Sequence, residues 1–159
     1  MSSILLDTNI WLDYHTPARA GHTSAFLLLD KAHNAGINLL IASHSLKDFW
    51  YLYWQTGKQE NNHSGDMGPE AASKSAKRAS WAATQQIAEI ATVVASDASD
   101  AWLSIKMQGT HDDYEDNLVV AAAMRAKPRL LVTNDQTLLA HCPVACATAA
   151  DAISFLDLS

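Results

Sequence analysis

Four aspartates in four separated segments are the residues of this 159-residue chain best suited to chemistry: Asp7, Asp48, Asp116 and Asp135. Carboxylates are hard oxygen donors. Several of them converging on one cleft would hold Mg2+ or Mn2+ in preference to a softer metal. Such an ion activates water and stabilises a departing oxygen, so metal-assisted hydrolysis is the chemistry these residues would support.

Each acid has a structural alternative. Asp7 ends the apolar run Ile4-Leu5-Leu6 and is followed by Thr8 and Asn9. That is how a buried strand delivers polar groups to the carboxyl edge of a sheet, although a strand-end Asp also serves as a turn former. Leu130-Leu131-Val132-Thr133-Asn134-Asp135 nearly repeats the arrangement, and there Asp135 could equally cap the next helix. Asp113 and Asp116 lie three apart in His111-Asp112-Asp113-Tyr114-Glu115-Asp116-Asn117, so on a helix they share a face. Asp113 could be an N-cap and Asp116 a first-turn acid favoured by the helix dipole. Asp48 falls one turn into an aromatic-rich helix that follows a strand, where an exposed helix acid is the plain alternative.

The elements that must carry these acids alternate along the chain. Short apolar runs at 4–6, 37–42, 92–95 and 129–133, with a further one at 144–147, read as strands. Helical spacing predicts helices over 21–35, 44–55, 70–90, around 102–105, 114–126, just after Asp135 and over 149–156. Gly36 should stop the first of these and Ser43 should cap the second. The polar segment from Gly57 to Pro69, which has no apolar period, reads as a long loop. Strands alternating with helices imply a parallel sheet covered on both faces, in one domain spanning 1–159.

Composition narrows the class. A hydrophobic share of 48% and a charged share of 18% belong to a globular chain. No apolar run is long enough to span a bilayer, and the start lacks a secretory pattern. Cys142 and Cys146, the two cysteines, read as reduced thiols of a cytoplasmic protein. The net charge of −6 does not exclude a nucleic-acid partner, because setting the four acids aside leaves −2. The seven histidines show no HxH or HExxH spacing, and there is no glycine-rich phosphate loop and no GxSxG elbow. His44 and His111 flank acidic segments.

Together, Leu5-Leu6-Asp7-Thr8-Asn9, the Asp48 helix, Asp113-Tyr114-Glu115-Asp116-Asn117-Leu118 and Leu131-Val132-Thr133-Asn134-Asp135 resemble the PIN domain. The likeness is to the small ribonuclease toxins of VapBC-type toxin–antitoxin modules. It implies a three-layer α/β/α sandwich around a mainly parallel sheet of four to five strands. It further implies a metal-dependent endoribonuclease in which Asp7, Asp48, Asp116 and Asp135 hold Mg2+ or Mn2+. Asn9, Asp113 and Thr133 would support them. A cognate antitoxin and a second copy of the chain are the partners it implies. The second acid of that family is often Glu, so Asp48 is one methylene shorter.

Arg19, Lys47, Lys74, Lys77 and Arg78 are the candidates for RNA phosphate contact. Trp50, Tyr51, Tyr53 and Trp54 could stack on bases or serve as core and interface. The alternative in a different class is a non-catalytic PIN-like RNA-binding or protein-interaction module. A phosphatase of the haloacid dehalogenase type fits poorly, because Asp7-Thr8-Asn9 lacks the second Asp two positions on.

Overall fold

A strand followed by a helix returns the chain to the end of the sheet from which it started, so successive strands pair in parallel. The computed structural model describes residues 2–157, and Met1, Leu158 and Ser159 of the domain implied by the sequence lie outside them. The strands are β1 (Ser3–Leu6), β2 (Asn38–Ala42), β3 (Thr92–Val94), β4 (Leu130–Val132) and β5 (Cys146–Ala147). All pair in parallel, in the order β3-β2-β1-β4-β5. Helices α1 (Thr8–His15), α2 (His22–Asn34), α3 (Ser43–Ser64) and α4 (Pro69–Ile90) precede β3. They are followed by α5 (Ala98–Lys106), α6 (Tyr114–Ala126), α7 (Gln136–His141) and α8 (Ala149–Asp157).

The central strand explains the layering. Ile4, Leu5 and Leu6 are all fully buried, as expected of a parallel strand covered on both faces. Side chains alternate across a strand, so Ile4 and Leu6 join the core built with α1, α2, α8 and Ile87 of α4, while Leu5 joins the one built with α6 and α7. The three-layer α/β/α sandwich follows, with five parallel strands. No described helix is long and apolar enough to cross a membrane.

One helix was not foreseen and two local expectations are corrected. The polar strand end leads directly into the helix Thr8–His15, which Asp7 caps by accepting from the Thr8 N–H and which Ile10 and Trp11 anchor in the core. Ser43 is the first residue of α3 rather than its cap, and its hydroxyl meets that of Ser96. The expected loop from Gly57 to Pro69 is mostly helix: α3 continues to Ser64 and only 65–68 connect it to α4.

The helix persists there because α3 and α4 form an antiparallel hairpin. The Ser80 hydroxyl donates to the Trp50 carbonyl at one end, and the Asn61 amide donates to the Ala72 carbonyl near the other. A Cβ on Gly57 would lie 3.3 Å from the Ala76 methyl, so glycine here permits close helix packing and does not break the helix. Tertiary packing thereby stabilises a polar stretch with weak helix preference of its own. Gly65, at φ +71°, supplies the left-handed cap that ends α3.

Replacing Ala76 with Leu should therefore lower stability by about 1–3 kcal/mol through overpacking against Gly57. Urea unfolding would measure this. An unchanged midpoint would mean that residues 57–64 do not pack as a helix.

Candidate metal centre

In open parallel sheets, ligands bind beyond the carboxyl ends of the strands, at the point where strand order reverses. Here that point lies between β1 and β4. Leu6 pairs with Val132, so the next residues, Asp7 and Thr133, emerge side by side at the edge. The Asp7 N–H donates to the Val132 carbonyl at 3.0 Å, continuing the ladder one step past β1.

Asp7 is then held from two sides. Its Oδ2 accepts from the Thr133 hydroxyl at 2.8 Å and from the Asn9 amide at 2.7 Å. The Asn9 amide also donates to Thr133 Oγ1 at 2.8 Å, and the Asp135 N–H donates to the same oxygen at 3.1 Å. The net aims one carboxylate while leaving it 5% exposed. Burial raises the Asp7 pKa from the usual 3.8 to about 6, the hydrogen bonds from Thr133 and Thr8 oppose the rise, and the charges of Asp116 and Asp135 add to it.

The facing wall comes from the starts of two helices. Asp48 reaches the cleft from the first turns of α3, with Lys47 Nζ 2.5 Å from its Oδ1. Asp116 reaches it from the first turn of α6. His111 Nε2 lies 2.8 Å from Asp116 Oδ2. Burial is the main cause raising the Asp116 pKa, and the His111 contact works against it. Asp7, Asn9, Asp48, Glu115 and Asp116 line a cleft of about 160 Å³. Four larger hollows, of about 190 to 540 Å³, contain at most one acid each, so chemistry and not volume locates the site.

Of the four expected acids, Asp7, Asp48 and Asp116 therefore share the cleft. Asp135 sits beside it: its Oδ1 accepts from the N–H groups of Thr137 and Leu138 and caps α7, while its charge still acts on Asp7 and Asp116. Asp113 caps α6 by accepting from the Asp116 N–H at 3.1 Å. Asn9 and Thr133 support Asp7 directly. Arg19 is committed to the buried Asp13 at 2.5 Å, which removes it from the phosphate-binding candidates. Tyr53 stacks on the buried Phe49 and belongs to the core.

Two polar cleft residues, Glu115 and Ser45, escaped the sequence reading, while His44 was read there as a flank of the acidic segments. Glu115 lines the cleft, and the Asp48 charge is the first cause raising its pKa. Its proximity to Asp116 at a helix start was the available signal. Ser45 and His44 also line the cleft, and Ser45 Oγ and both ring nitrogens of His44 are buried with no hydrogen-bond partner among the described residues. Burial is the main cause lowering the His44 pKa.

Buried polar atoms without partners usually face an ion, a water or a ligand. A hard-oxygen donor set, mutually repelling carboxylates and orphaned neutral groups together fit a hydrated divalent cation. Among the described residues, no three His, Cys, Asp or Glu side chains form a ready-made cage. Mg2+ keeps several waters and takes only one or two carboxylates directly.

The model of the PIN domain family matches residues 3–137. No curated protein sequence matches the chain. Among solved structures, the chain is similar to the sarcin–ricin-loop-cleaving toxin VapC20 of Mycobacterium tuberculosis. Identity there is 15% and the TM-score 0.62, over 86% of this chain and 93% of that one. It is also similar to VapBC2 of Rickettsia felis bound to a promoter DNA fragment, at 13% identity and a TM-score of 0.64, covering 92% and 98%. PAE2754 of Pyrobaculum aerophilum is 16% identical, with a TM-score of 0.62 and coverage of 99% and 97%. These likenesses lie in the fold.

The Asp7 environment yields a pH prediction for metal-free protein. The folded state holds this proton more tightly than the unfolded state, so stability should fall as pH rises from about 4 to about 6. The full loss, about 3 kcal/mol for the rise from 3.8 to about 6, should be present above pH 6. Urea unfolding in EDTA across this range should show a steeper decline in wild type than in Asp7→Asn. Parallel profiles would mean that Asp7 is not the buried acid described.

Proposed function

The chain belongs to the PIN domain family, and on that footing we propose that it is a metal-dependent endoribonuclease, the toxin of a type II toxin–antitoxin pair. The observation that carries the reading is the convergence of carboxylates from the end of β1 and the first turns of α3 and α6 on one cleft at the switch point. The substrate is RNA and the bond broken is a phosphodiester.

Asp7 and Asp116 are the principal holders of Mg2+ or Mn2+. Asp48 completes the set, Glu115 adds a carboxylate beside it, and Asp135 tunes the site through its charge. When bound, the cation supplies Lewis acidity, making water a better nucleophile and stabilising the departing oxygen. The chain's own groups orient the rest. Asn9 and Thr133 fix the Asp7 carboxylate, and His111 fixes that of Asp116. Asp113 holds the α6 start that presents Asp116 and Glu115. Ser45 and His44 offer neutral hydrogen-bonding groups to water or to a phosphate oxygen in a wall that is otherwise anionic. Outer-shell groups of this kind commonly govern metal affinity as much as geometry does.

In this reading the domain spans 1–159, acts in the cytoplasm as a homodimer and is restrained by an antitoxin chain. VapC20 is a toxin that cleaves the sarcin–ricin loop, and we extend to this chain the cleavage of RNA but not that target.

Purified protein incubated with structured RNA should cleave it with Mg2+ or Mn2+ and not with EDTA. Asp7→Asn and Asp116→Asn should each lose at least about 100-fold in rate, together with Mn2+ affinity measured by calorimetry. Full cleavage by both variants would sink the assignment. Asp135→Asn keeps a good capping residue and should retain stability, whereas Asp135→Ala should lose about 1 kcal/mol. Thermal melts separate that effect from the metal site.

A further inference from the structure

The α3–α4 hairpin carries a surface that the cleft chemistry does not use. Four aromatic rings run across it in contact: Tyr51 to Trp54 at 6.2 Å between centroids, Trp54 to Trp50 at 5.6 Å, and Trp50 to Trp81 at 5.5 Å. The two ends of this belt are open, with Trp81 61% and Tyr51 49% exposed. An indole so exposed contributes little to packing on its own helix.

Cations surround the belt. Lys77 Nζ lies 4.8 Å from the Trp54 ring centre, and Lys58 Nζ lies 5.9 Å from it. At about 100° per residue, Lys74, Lys77, Arg78 and Trp81 fall within one arc of α4, and all are exposed. Arg19, Lys47 and Arg125 each pair with an acid, but none of Lys58, Lys74, Lys77 and Arg78 forms an ion pair among the described residues. Glu60, the nearest acid in sequence to Lys58, lines a different hollow with Tyr53. Glu70, four residues before Lys74, is an acid on the same arc of α4, so in a chain of net charge −6 the cations beside these open rings outnumber the acid among them.

Unpaired cations around accessible aromatic faces suit a polyanion whose bases are free to stack, which means single-stranded nucleic acid. The belt also points to the cleft. Tyr51 follows Asp48 by three residues on α3, and Leu52 lines the cleft with Asp48.

We propose that the α3–α4 hairpin is a binding track for an unpaired RNA segment, with bases stacked on Trp81 and Tyr51 and phosphates held by Lys58, Lys74, Lys77 and Arg78. The proposal rests on the ribonuclease reading and names the form of RNA that the cleft receives.

Binding is tested apart from cleavage, by fluorescence anisotropy in EDTA on Asp7→Asn protein, with a labelled oligoadenylate of about 12 nucleotides. Trp81→Ala should weaken binding about tenfold, and Trp81→Phe should restore most of it. Combined Lys74→Ala, Lys77→Ala and Arg78→Ala substitutions should reduce the slope of log affinity against log salt by about 2. An RNA duplex of equal length should bind more weakly and ignore the Trp81 change. The track is overturned if the oligonucleotide does not bind, or if the variants bind it like their parent. It is also overturned if polyglutamate competes as well as RNA regardless of Trp81, which would mark an acidic-protein docking face. Wild-type protein that cleaves RNA while the hairpin variants bind normally would remove the track and leave the ribonuclease reading intact. Binding without cleavage would do the reverse. Matching circular dichroism melts for Trp81→Phe and its parent confirm that folding is not the variable.

Discussion

The hydrogen bond from the Thr133 hydroxyl to Asp7 Oδ2 ties the two strands at which the sheet reverses direction, and the rest of the site is arranged around it. Asn9 closes the triangle by donating to both partners. The arrangement buries a carboxylate among neutral donors while two further acids act on it through space. Burying charge is unfavourable unless an opposite charge is supplied. The fold thus holds an electrostatic conflict at its centre, with carboxylates of α3 and α6 facing the same space, and a cation would resolve it.

The same constraint extends behind the cleft. Asn9 Oδ1 accepts from the Asn134 N–H, and the Asn134 amide donates to the buried Asp13, which Arg19 neutralises. Gly21 is required where α2 begins, because a Cβ there would come within 2.0 Å of Asp13 Oδ2. Asn134 Oδ1 in turn accepts from the Ala149 N–H at the start of α8. One connected polar network therefore joins the start of the chain, the end of β4 and the last helix. Such networks specify geometry when every member is satisfied, and these members are. Among the described residues, the buried polar groups left unsatisfied are Ser45 and His44 on the cleft side and the indole N–H groups of Trp11 and Trp50 elsewhere.

The hairpin shows a different balance. Its length comes from helix-on-helix packing at small residues, Gly57 against Ala76, and its outer face is then free to carry aromatic and basic side chains. The cleft is acidic and the hairpin face is basic. On the proposed reading, a polyanionic substrate drawn to the hairpin would meet a neutralising cation before entering the cleft, which would couple the two surfaces electrostatically.

Much of the fold was legible because it rests on local pattern. Apolar triplets ending in polar residues marked β1 and β4, and alternation with helices dictated a parallel sheet. The same pattern placed Asp7, Asn9 and Thr133 at one edge, and the helix starts carried Asp48 and Asp116 toward it. The helical state of 57–64 was not legible, since it comes from contacts with α4 that no local window contains. Asp135 looked like Asp7 in sequence, yet the two differ in role: both cap helices, but Asp7 alone is enclosed by a neighbouring strand end and faces the acids of α3 and α6. Glu115 and Ser45 lie at the starts of α6 and α3, and the packing of those helix starts brings them into the cleft. The sequence by itself determined which residue types reach the sheet edge, because period and strand length are local properties. Only the tertiary structure decided which of those residues face one another, because distance and burial depend on how the layers pack.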